Sequence, residues 1–64
     1  MAAFVFRLER TDGRPADPPT LTSAVPNWRA GDTIPLGART LRVLDVRYDE
    51  VDDASVMVVE DMAG

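Results

Sequence analysis

The fold is decided by one stretch of the chain, which reads Arg39-Thr40-Leu41-Arg42-Val43-Leu44-Asp45-Val46-Arg47-Tyr48. Apolar residues alternate with polar ones on both sides of the pair Val43-Leu44, as they do in a half-buried strand. The alternation changes phase at that pair, so a regular strand would carry apolar side chains on both of its faces. A β-bulge at Val43-Leu44 returns them to one core and bends the strand. We therefore predict a long strand with a bulge, with a strand buried on both sides as the alternative.

Three further strands flank this stretch. Alternation of aromatic and branched residues predicts a half-buried strand over Phe4 to Leu8, ended by the turn dipeptide Asp12-Gly13. Thr33 to Leu36 predicts a short edge strand, because Pro35 cannot donate a ladder hydrogen bond. The run from Ser55 to Glu60 is apolar and β-branched, which predicts the most buried strand.

Residues 14–27 are the least regular part of the chain, because four prolines interrupt them. They allow one short edge strand, Thr20 to Val25, or a long loop. Four or five short strands without a helix to cover them must curl around their own core. The sequence thus predicts one all-β domain over residues 1–64, a small four- to five-stranded antiparallel barrel or curled sheet with little or no helix.

Composition limits the classes of function. The 64 residues include no histidine, cysteine or lysine, and the formal net charge is −4. Abundant arginine, alanine, valine and aspartate are typical of bacterial genomes rich in GC. Small secreted domains usually carry disulfides, so the lack of cysteine favours the cytoplasm, and no apolar run is long enough for a membrane span. We expect a cytoplasmic bacterial protein without a membrane partner.

The same composition argues against catalysis. An enzyme needs a base, a nucleophile or a metal, and the residue types that most often supply them are missing. We expect no enzyme activity, no catalytic residues, no cofactor and no metal, and no cleft large enough for a ligand. The acidic loop Asp49-Glu50-Val51-Asp52-Asp53 lacks the spacing of a calcium-binding EF-hand. It is either a solvated turn or a cation site without a known motif.

By exclusion, the sequence favours a non-catalytic protein-binding or accessory module, whose partner is another protein or a second copy of the chain. Trp28 either plugs the small core or anchors a partner, since tryptophan is enriched in interfaces. The alternative is a nucleic-acid-binding barrel that uses Arg39, Arg42 and Arg47, although the negative net charge opposes it. The candidate partner surface consists of Trp28, Arg29, Arg39, Arg42 and Arg47.

Two phrases of the sequence, Trp28-Arg29-Ala30-Gly31-Asp32-Thr33-Ile34 and Leu41-Arg42-Val43-Leu44-Asp45-Val46, resemble strand entries in small barrels of the SH3-like and PUA-like families. The resemblance covers about a third of the chain. It implies a small barrel, and its PUA-like form implies contact with RNA. No functional residue of these families is assigned to a position of this chain.

Overall fold

The computed structural model describes residues 3–62 as one curled sheet of five strands. In chain order the strands are β1 (Phe4–Glu9), β2 (Pro15–Ser23), β3 (Thr33–Leu36), β4 (Arg39–Asp49) and β5 (Ala54–Asp61). The sheet forms half of a barrel. This part of the chain contains no helix, and therefore none that could span a membrane. The all-β prediction with four or five strands is confirmed.

The strands lie in the order β2-β1-β5-β4-β3, so β5 occupies the centre and is the most buried, as predicted. Three neighbouring pairs are antiparallel, but β1 and β5 run parallel, with Leu8 opposite Met57. The expected antiparallel sheet is thus corrected to a mixed one. The parallel pair is possible because β2, β3 and β4 form the long connection that parallel neighbours require.

The bulge predicted in β4 is present. Val43 pairs with Val59 and Asp45 with Val58, so Leu44 is the extra residue. Because of it, Val46 packs against the core while Asp45 lies on the opposite face. A bulge bends its strand and increases the twist, which is how a sheet this small curls.

The core lies on the concave face of the half-barrel. Its buried residues come from all five strands: Phe6, Leu8, Ala16, Ile34, Leu41, Val43, Met57 and Val59. Leu21, Trp28, Leu36 and Val46 are partly buried and pack against this cluster. Apolar burial of this kind is the main term that stabilises the fold.

The two edge strands carry four of the five prolines. β2 is longer than predicted and begins earlier, at Pro15, and its Leu21 packs against the core. It accommodates Pro15, Pro18 and Pro19 because an edge strand needs only half of its backbone groups for pairing. β3 spans only four residues and meets β4 through a two-residue turn in which Gly37 has a φ of +63°.

Candidate functional site: a pocket at one end of the half-barrel

A pocket of about 360 Å³ lies where four segments of the chain meet. The segments are the β1–β2 turn, the start of β2, the start of β4 and the end of β5. Buried side chains of Ala16, Leu41 and Val59 form its apolar floor. The expectation that so small a domain lacks a cleft of ligand size is wrong, because the half-open sheet leaves its concave face accessible at this end.

Charged residues of both signs surround the apolar floor. Arg39 donates from Nε and Nη2 to one oxygen of Asp61, at 3.2 and 2.7 Å, and from Nη1 to Asp17 at 3.5 Å. The hydrogen bond to Asp61 is the main cause that raises the pKa of Arg39, so this guanidinium stays charged. Arg10 also lines the pocket, and among residues 3–62 no carboxylate lies within ion-pair distance of it.

Of the five residues predicted to form a partner surface, only Arg39 lies in this pocket. Arg42 and Arg47 lie on the opposite, convex face of the sheet, where Arg42 stands 3.9 Å from Glu60. Arg29 is exposed in the loop between β2 and β3. The structure therefore does not bring the five residues together on one face.

Arg47 belongs to a charged network on the convex face, which consists of Arg7, Glu9, Arg47, Asp49 and Asp52. Arg7 binds Asp49 at 2.7 Å and Asp52 at 2.8 Å, and Arg47 binds Glu9 at 2.8 Å. The hydrogen bond from Arg7 is the main cause that lowers the pKa of Asp49. These pairs join β1, β4 and the loop that follows β4.

The network covers an apolar residue. Val56 of β5 lies on the convex face and is fully buried, and its cross-strand neighbours are Arg7 and Arg47. The aliphatic stems of arginine can shield apolar surface while the charged heads remain in water. Arg47 therefore helps to cover Val56. Because Arg7 and Arg47 are both paired with carboxylates, neither offers an unpaired charge to a nucleic acid.

Trp28 packs against the core and is half-buried. This supports the prediction that it fills the small core more than the alternative that it is an exposed anchor for a partner. Its indole Nε1 is buried and has no hydrogen-bond partner within the described part of the chain. The neighbouring Arg29 donates its backbone N–H to Asp32, at 2.9 Å, in the turn that leads into β3.

The acidic loop is organised by arginine and by its own backbone. Besides binding Arg7 through Oδ2, Asp49 accepts the N–H groups of Val51 and Asp52 at its Oδ1 atom. Among the residues that the structure describes, no group of three acidic side chains is arranged to hold a metal ion. Asp53 closes the turn with a φ of 51°.

Sequence reasoning missed most of the pocket, namely Arg10, Thr11, Ala16, Asp17, Leu41, Val59, Glu60 and Asp61. These residues meet only because β5 lies next to β1 and because β2 begins at Pro15. The signal present in the sequence was the pair of opposite charges at the start of β4 and the end of β5. Antiparallel pairing of those two strands brings Arg39 close to Asp61.

Comparison with protein-family models, curated proteins and solved structures found no match to this chain. The architecture is compatible with a small β-barrel domain, at the level of a curled all-β sheet. Inference about function therefore rests on the pocket and on the surfaces around it.

Proposed function

We propose that this domain is a non-catalytic protein-binding module that docks a segment of its partner in the end pocket. The observation that carries the proposal is the pocket's composition, an apolar floor of buried side chains within a rim of both charges. Protein interfaces have the same anatomy, with an apolar centre and a polar rim in which arginine is enriched. At about 360 Å³ the pocket has room for one or two side chains.

The pocket's chemistry supports binding rather than catalysis. Its ionisable groups are guanidinium and carboxylate groups, and Asp17 and Asp61 share Arg39. A guanidinium stays protonated in proteins and supplies no general base. We also propose that the protein is bacterial and cytoplasmic and that it uses no cofactor or metal.

The nucleic-acid alternative finds less support. Arg39, Arg42 and Arg47 each stand within 4 Å of a carboxylate, and they lie on different faces of the sheet. Binding to phosphates needs a footprint of net positive charge. Membership of the SH3-like or PUA-like family stays a prediction, and only the PUA-like one implies RNA.

The test compares three forms of the immobilised domain in extracts of the source cells: wild type, Asp17→Arg and Glu50→Arg. Asp17 is an exposed residue at the pocket rim, whereas Glu50 is exposed in the acidic loop after β4 and does not line the pocket. Both variants change the charge equally. We expect a partner protein that binds wild type and Glu50→Arg but not Asp17→Arg.

Light scattering and an RNA column, together with the capture experiment, separate the alternatives. Light scattering that shows a dimer in wild type and a monomer in Asp17→Arg would identify a second copy as the partner. Equal capture by all three forms would contradict the use of the pocket. Retention on an RNA column that falls steeply with salt would favour the nucleic-acid reading instead.

A further inference from the structure

The segment between β2 and β3 holds a buried polar atom that nothing in the described structure satisfies. Among residues 3–62 the indole Nε1 of Trp28 finds no hydrogen-bond partner, although the ring packs against the core. A buried donor without an acceptor keeps its full desolvation penalty, so the docked ring is less stable than its contact area implies.

The backbone around Trp28 is held near its ends, and at the C-terminal one Arg29 and Asp32 close a turn through hydrogen bonds of 2.9 and 3.1 Å. On one side, Val25 donates its N–H to the side chain of Ser23 at 3.0 Å. On the other, Gly31 donates to the carbonyl of Val43 at 2.7 Å. Within residues 3–62, no hydrogen bond involves the backbone N–H of Asn27 or Trp28. Segments with so few hydrogen bonds open at low free energy.

We propose that residues 24–30 form a displaceable strap, closed by the docking of Trp28, which opens without unfolding of the sheet and uncovers the core side chains beneath the ring. Gly31, the residue after the strap, has a φ of +97° and donates its N–H to the carbonyl of Val43 in β4, and opening of the strap breaks this hydrogen bond. This opening is independent of what occupies the end pocket and goes beyond the proposed function.

The first test follows urea unfolding of the wild-type chain by two probes. Trp28 is the only tryptophan, so its fluorescence reports the strap, while far-ultraviolet circular dichroism reports the sheet. We expect the fluorescence change at lower urea and with a smaller m-value, because opening the strap exposes less surface than global unfolding. Coincident transitions with equal m-values would overturn the proposal.

The second test removes the unpaired donor while keeping the shape of the ring. A chain of this length is accessible by chemical synthesis, and 3-benzothienylalanine at position 28 replaces the indole N–H with sulfur. We expect hydrogen exchange at the Gly31 amide to slow by about fivefold or more. The Met57 amide, in the central strand, serves as the reference for global unfolding. An exchange rate at Gly31 equal to that of wild type would contradict the role given to the indole N–H.

Discussion

Substitution of Met57 by alanine tests the packing of the half-barrel at its centre. Met57 is fully buried in β5, with Leu8 of β1 and Val46 of β4 as its cross-strand neighbours. Truncation of a buried methionine to alanine costs about 2–5 kcal/mol, because a cavity remains after the side chain is lost. A domain of this length has a free energy of unfolding of roughly 3–10 kcal/mol. The variant should therefore lose about a fifth of its stability or more.

The measurement is thermal unfolding followed by circular dichroism. For a chain of about this size, each kcal/mol shifts Tm by roughly 4–8 °C, so a loss of about 2–5 kcal/mol in Met57→Ala should lower Tm by roughly 8–40 °C. Met57→Leu keeps the volume and should cost less than about 1.5 kcal/mol. Val51→Ala, at a side chain 93% exposed, should leave Tm nearly unchanged. A shift below about 5 °C for Met57→Ala would refute the central position given to β5.

Two further predictions concern the convex face and a turn. The Arg7 hydrogen bond lowers the pKa of Asp49 below its ordinary 3.8, so the carboxylate stabilises the fold above that pH and ceases to do so as pH falls through the lowered pKa. Asp49→Asn should unfold at lower urea than wild type at neutral pH, and the difference should vanish in acid; a difference independent of pH would contradict this. Gly37→Ala should cost about 1–2 kcal/mol in urea unfolding, because the φ of +63° is unfavourable for a residue with a Cβ; a cost below about 0.3 kcal/mol would show that the turn rearranges.

Local pattern was enough to predict most strands. Local residue patterns placed β1, β3, β4 and β5 within a residue or two, with an unbroken apolar run rather than alternation marking β5, and the change of phase at Val43-Leu44 placed the bulge. These features depend on neighbouring residues, whose side chains must point to the same face. The start of β2 was missed because three prolines argue against a strand in general, but not against one at an edge.

Pairing between distant strands was not predictable in the same way. The parallel contact of β1 with β5 joins the two ends of the chain, and neither strand carries a local mark of its partner. One clue was available, since the run Val56-Met57-Val58-Val59 has no polar alternation and such runs are typical of strands buried on both faces. Because the pocket depends on this pairing, it could not be predicted either.

Two arginines on the convex face cover apolar surface that a second layer covers in larger domains. In larger domains a helix or second sheet covers the second face of a central strand. Here no second layer lies over Val56 within residues 3–62, and Arg7 and Arg47 cover it while carboxylates hold their guanidinium groups in place. Arg47, which the sequence predicted to belong to a partner surface, thus helps to complete the fold. If the pocket docks a partner as proposed, the guanidinium free to contact it is that of Arg10, which has no ion-pair partner in the described chain.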